Sequence, residues 1–260
     1  MAILPVLHVR RRLRLDATCL VVGSMAPDFS YFVRGVQRGT FSHTWPGLFA
    51  WGIPATLVIA LVFHALVKWP LLLVAPRTAA HHLVTAATTR WPARWSVGAI
   101  VSCVASALVG AATHLAWDGF THGKGFGAHL IGADVTRLSL PVIGETSLFR
   151  VLQYASSVVG LVVVTIAAVR ATRRLAPGLA FDPDHYARAT FAIALAAGLA
   201  ASAWRATRLH PRDLDELLVI AIAGMLAAIV VASAVVQPAA RRLAHSAASA
   251  ASSAEPSARP

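Results

Sequence analysis

Residues 214–236 read LDELLVIAIAGMLAAIVVASAVV, and past Glu216 no charge interrupts the run. Its length is close to the roughly 20 residues a helix needs to cross a hydrocarbon core about 30 Å thick. Residues 46–67, 96–117 and 151–169 repeat the pattern. Residues 189–204 give a shorter version, rich in alanine and glycine, suited to packing closely against a neighbouring helix. An earlier run, 17–33, is interrupted by Ala26-Pro27-Asp28 and reads as a short spanning helix or a re-entrant one. Trp69-Pro70 through Pro76 is too short to span and reads as interfacial. The expected architecture is therefore all-α, a polytopic transmembrane helical bundle of five to six helices.

Composition agrees. Of 260 residues, 57% are hydrophobic and 13% charged, with a mean hydropathy of +0.66, against roughly 25% charged residues in soluble domains. The net charge of +12 raises nucleic acid as a partner, but the placement of the basic residues argues against it. Arg10, Arg11, Arg12 and Arg14 precede one apolar run, Arg170, Arg173 and Arg174 close another, and Arg241 and Arg242 follow the last. That is the distribution of topology determinants beside anionic lipid. If 17–33 spans, alternate loops carry fifteen and eight Lys and Arg, which places both termini in the cytoplasm; if it does not, the counts are eleven and twelve. No cleavable signal peptide is expected at the amino terminus.

A single transmembrane domain is expected over 1–237, followed over 238–260 by an Ala/Ser-rich tail with too little apolar surface to order. Cys19 and Cys103 lie in apolar sequence without CxxC spacing, so neither a disulfide framework nor a thiolate metal site is expected.

With only 11 acids, ionisable groups at membrane depth are informative, because they are costly there and mark function. Asp28 follows Gly23-Ser24-Met25-Ala26-Pro27, His43 lies in Phe41-Ser42-His43-Thr44-Trp45-Pro46-Gly47, and His114 and Asp118 close the run ending Trp117-Asp118-Gly119-Phe120-Thr121-His122. His114 and Asp118 are four apart, so a helix puts them on one face about 6 Å apart, within reach of one ion. An unbroken helix would carry His122 about 12 Å from His114, and Gly119 offers a place for the helix to end and let His122 curl back. Mixed imidazole and carboxylate donors suit zinc, manganese or iron, and a first shell with a free position suits hydrolysis. Plainer readings remain open: Asp28 as a helix cap, His43 as an interfacial hydrogen-bonding group beside Trp45, and His114 with Asp118 as a pair locking helices together. Asp134 and Glu145 are weaker candidates for orienting a water. His64, His81, His82, His185, His210 and His245 receive no role, and no Gly-x-Ser-x-Gly signature is present.

Those motifs, Val22-Gly23-Ser24-Met25-Ala26-Pro27-Asp28-Phe29, Ser42-His43-Thr44 with Pro46-Gly47, His114 through His122, and Leu152-Gln153-Tyr154-Ala155-Ser156-Ser157, resemble a bacterial integral membrane family catalogued as domain of unknown function 4184. The similarity runs from about residue 2 to 236. In its PD, SH and HxxxD elements that family is similar to a wider set of inner-membrane metal-dependent hydrolases. The resemblance implies a multi-pass protein of the bacterial inner membrane, with Asp28, His43, His114 and Asp118 as ligands of a divalent ion and His122 as a ligand or an acid and base. The substrate implied is a lipid or other ester or phosphoester. A non-catalytic membrane protein and a small transporter relaying protons through His and Asp are the alternatives, and oligomeric state is left open. Relatives usually carry a Ser-His pair just before an Ala-Ala-x-Leu-Pro-Leu run, whereas this chain opens inside that run at Met1-Ala2-Ile3-Leu4-Pro5. His8 lies on the wrong side of Leu4-Pro5 to replace that histidine. An upstream in-frame start that supplies the pair is therefore expected.

Overall fold

The computed structural model describes residues 2–35, 40–88, 91–92, 96–141, 144–175, 184–209 and 214–253. In chain order the helices are α1 (Leu4–Val9), α2 (Ala17–Gly23), α3 (Ala26–Arg34), α4 (Trp45–Gly47), α5 (Ile53–Val62), α6 (Lys68–Val74), α7 (Arg77–Thr88), α8 (Val97–Thr121) and α9 (Phe126–Leu130). A hairpin of β1 (Arg137–Leu140) and β2 (Gly144–Ser147) follows, then α10 (Leu148–Arg173), α11 (His185–Leu209) and α12 (Leu214–Ser253).

Among the described residues, five helical stretches are long and apolar enough to cross a membrane: Trp45–Val74, Val97–Leu130, Leu148–Arg173, His185–Leu209 and Leu214–Arg242. On α10 the apolar side chains Val158, Val159, Leu161, Val162 and Ile166 are all exposed, and Gly160 is its one buried residue. A helix apolar on every side and uncovered by protein is suited to lipid as its solvent. The chain is a multi-pass helical membrane protein.

The run over 17–33 does not form a sixth span. It breaks at Ser24 and Met25 into α2 and α3, seven and nine residues long, each far short of a bilayer. With five spans, the basic residues no longer choose an orientation. The segment around Pro70, expected to be interfacial, instead continues the preceding helix, so that α4, α5 and α6 form one run of 30 residues. Proline removes an N–H from the helical ladder and crowds the carbonyl four residues back. Pro54 and Pro70 are each preceded by a wider π-helical turn, Leu48–Gly52 and Phe63–Val67, which absorbs that mismatch without ending the helix.

Two compact units partition the chain. In the first (Met1–Asp28, Thr40–Leu57, Ser96–Arg170) α2 lies against α8. Backbones meet there: a Cβ on Gly23 would fall 2.6 Å from the Ala107 carbonyl oxygen, and one on Gly110 would strike the Leu20 carbonyl and sit 2.7 Å from Ser24 N. The hairpin pairs Arg137 with Ser147 and Leu140 with Gly144. In the second unit (Phe29–Gly39, Val58–Trp95, Ala171–Pro260) α11 packs on α12 and α6 on both. Leu73, Ala187, Phe191, Ala232, Val236 and Ala240 form its buried cluster. The tail expected to lack structure from Pro238 continues α12 as helix to Ser253, consistent with the high helix propensity of alanine; residues 254–260 lie outside the described ones.

Candidate metal centre

Four polar side chains from three segments of the first unit meet. Asp28 stands in the first turn of α3, where Pro27 is tolerated because first-turn N–H groups have no helical partner. The carboxylate is favoured there by the helix dipole. Trp51 Nε1 donates to the Ala26 carbonyl at 2.9 Å and ties this turn to the long helix.

His43 ends a 3-10 turn, Phe41–His43, just before α4. Thr44 Oγ1 donates to the Phe41 carbonyl at 2.7 Å and accepts from Gly47 N–H at 3.1 Å, closing the turn and capping the helix together. Gly47 is required by this geometry, since a Cβ there would run into the Phe41 carbonyl oxygen.

His114 and Asp118 lie on α8, as their four-residue spacing led us to expect. The helix does not end at Gly119. It continues to Thr121, and His122 is the residue that caps it, its N–H donating to the Asp118 carbonyl at 3.0 Å. Gly119 is small for another reason: a Cβ there would lie 2.7 Å from the Phe126 ring, which folds back over it and meets Phe120 edge-on.

Asp28, His43 and His114 each offer a ligand atom within 4.8 Å of the others. His43 Nε2 lies 3.2 Å from Asp28 Oδ1 and 3.7 Å from Asp118 Oδ2. His114 Nε2 lies 3.6 Å from the same Asp28 oxygen and 3.1 Å from the same Asp118 oxygen. The two imidazole rings sit 5.4 Å apart, centre to centre. His122 flanks the group: its Nδ1 is 3.8 Å from Asp118 Oδ1, the other carboxylate oxygen, and it is 48% exposed.

Hydrogen bonding orients the two imidazoles of the centre. His114 Nδ1 is 2.9 Å from the Ser24 carbonyl oxygen. A carbonyl only accepts, so Nδ1 carries a proton and Nε2 is the nitrogen turned inward. That Nε2 is buried and makes no hydrogen bond, although two carboxylate oxygens flank it. Two carboxylates beside that nitrogen favour a positive charge among them, whether a proton on Nε2 or a bound cation. His43 also turns its Nε2 inward, hydrogen-bonded to Asp28 Oδ1 at 3.2 Å, while its Nδ1 meets Ser42 Oγ at 3.1 Å. Ligating histidines are generally held this way, through the ring nitrogen away from the metal. Two imidazole nitrogens with two carboxylates also match the donor preferences of zinc, manganese or iron. The residues present thus fit a divalent ion.

Of the weaker candidates, Asp134 pairs with His129, Nδ1 to Oδ2 at 2.6 Å. Desolvation works to raise the Asp134 carboxyl, but the His129 hydrogen bond and backbone N–H groups outweigh it and hold it below its usual value. Glu145 lies on β2 with an exposed side chain. Two features escaped the sequence reading. One is the Ser24 carbonyl, a backbone group 90 residues from His114. The other is the approach of the Cys19 and Cys103 sulfurs, which lie on different helices and within 4.8 Å of one another.

The fold and centre define a class: a multi-pass helical membrane protein with a partly buried His and Asp cluster. The family model described as domain of unknown function (DUF4184) matches residues 1–234, and the chain belongs to that family. No curated protein and no solved structure matches the chain.

Proposed function

We propose that this protein is a metal-dependent hydrolase acting on an ester or phosphoester at the surface of the bacterial inner membrane. Asp28, His43, His114 and Asp118 hold the ion, and His122 serves as acid and base. The observation that supports this reading most is His114 Nε2, buried, without a hydrogen bond and aimed between two carboxylates. A divalent ion held there supplies Lewis acidity toward a water and toward the carbonyl or phosphoryl group it attacks. The Ser24 carbonyl and Ser42 Oγ orient the two imidazoles, each through the ring nitrogen turned away from the centre. Asp118 keeps one oxygen toward the ring nitrogens and the other toward His122, so that His122, half in solvent, exchanges its proton with the reacting groups while held by the carboxylate.

The test is hydrolysis of a chromogenic carboxylic ester and a chromogenic phosphodiester by detergent-purified protein, before and after chelation. Activity abolished by the chelator, restored by zinc, manganese or iron, and lost in His122→Ala with the ion retained supports the reading. An ion-free wild-type protein with neither activity would leave His114 and Asp118 as a pair that locks helices together, as their 3.1 Å contact also suits.

A further inference from the structure

The first unit holds a second convergence of donors. Cys19 in α2 is 0% exposed and Cys103 in α8 is 6% exposed, and both are free thiols. Their sulfurs and a carboxylate oxygen of Asp16 all lie within 4.8 Å of one another.

The carboxylate is set in place by a chain of bonds that needs no ligand. Asp16 Oδ1 accepts from the Cys19 N–H at 2.8 Å, and the Asp16 N–H donates to Ser106 Oγ at 2.8 Å. Ser106 Oγ donates to the Ser102 carbonyl at 2.6 Å, and Ser102 Oγ donates to the Arg14 carbonyl at 2.7 Å. Along α8, Cys103 precedes His114 by about 16 Å, so this cluster is separate from the His and Asp centre.

We infer that Cys19, Cys103 and Asp16 form a second metal site, for a borderline-soft divalent cation of the zinc type, which clips α2 to α8. The donor set selects the cation. Thiolate sulfur favours soft ions over magnesium or calcium, and zinc takes sulfur and carboxylate oxygen together. Charge points the same way, since two thiolates and a carboxylate leave one net negative charge around a divalent ion and two around a monovalent one, and buried charge is costly. On binding, each thiol gives up its proton as its sulfur bonds to the metal, so two protons leave per ion. Such a clip joins the helix leading into Asp28 to the helix carrying His114 and Asp118, at the opposite end of their contact from the hydrolytic site.

Cobalt(II) added anaerobically to the reduced, detergent-purified full chain provides the test, because sulfur-to-cobalt charge transfer in the near ultraviolet reports thiolate ligands and is blind to the His and Asp centre. The expected result is a band that saturates at one ion per chain and is bleached by zinc. It is retained in His114→Ala and lost in Cys103→Ala. No band in the wild-type protein overturns the inference, and that measurement needs no variant to fold. A band that persists in Cys103→Ala overturns it as well. So does alkylation showing Cys19 and Cys103 already joined as a disulfide in freshly isolated protein.

Discussion

Gly110→Ala is the substitution most directly exposed to the way this site is built. The added methyl would strike the Leu20 carbonyl oxygen and lie 2.7 Å from Ser24 N and 3.0 Å from Gly23 C, all backbone atoms of α2 or its cap, so no side chain can swing aside. The helices must part by several tenths of an ångström or more. Overpacking of this kind costs about 1–3 kcal/mol. Parting also moves the Ser24 carbonyl off His114 Nδ1, now at 2.9 Å, which removes a hydrogen bond of about 1 kcal/mol. The sum, about 2–4 kcal/mol, lowers the thermal midpoint by roughly 4–16 °C in a protein of this size. Thermal unfolding in detergent followed by circular dichroism measures it, with Gly98→Ala as the control. Gly98 is exposed, with only Ser96 Oγ at 3.9 Å from the added carbon, so alanine there is neutral or mildly stabilising through helix propensity. Equal midpoints for Gly110→Ala and Gly98→Ala would refute the close-contact account of how α2 is held.

Ser42→Ala removes the partner of His43 Nδ1 and is expected to weaken ion affinity about 10–100-fold, read by competition with a metal indicator. Trp51→Phe removes the 2.9 Å bond to the Ala26 carbonyl and is expected to lower stability by about 0.5–1.5 kcal/mol, measured by thermal unfolding. Asp134 has a folded carboxyl held low by His129, so its contribution is present above the ordinary carboxylate range and is lost as pH falls through and below it. Asp134→Asn should therefore unfold earlier than wild type at neutral pH, by a difference that shrinks as pH falls below the ordinary carboxylate range, and a pH-independent difference would contradict this.

The helices were readable from sequence because their signals are local. Ser96 caps α8 where the apolar run 96–117 begins, and the long apolar runs need only length to be recognised. Proline was harder: Pro70 looked like an end, yet a π-helical turn lets the helix pass through it, and nothing local distinguishes the two outcomes. Asp28, His43, His114 and Asp118 stood out because ionisable groups are expensive in apolar sequence, and the structure brings all four together. What gathers them was not legible. Gly23 and Gly110 matter through backbone contact between α2 and α8, and the atom that orients the His114 ring is a main-chain oxygen. Cys19 and Cys103 are ordinary small apolar residues within their own segments, and their relation appears only when the two helices meet.

The central claim is that the His and Asp cluster holds a divalent ion. Metal analysis of detergent-purified wild-type protein, His114→Ala, and a double Cys19→Ala, Cys103→Ala variant tests it most directly, because it separates the two donor clusters. One divalent ion that remains in the cysteine variant and disappears when His114→Ala is added to that variant is the predicted result. A cysteine variant free of metal after loading with zinc, manganese or iron, or one whose ion survives His114→Ala in the same background, would contradict the claim.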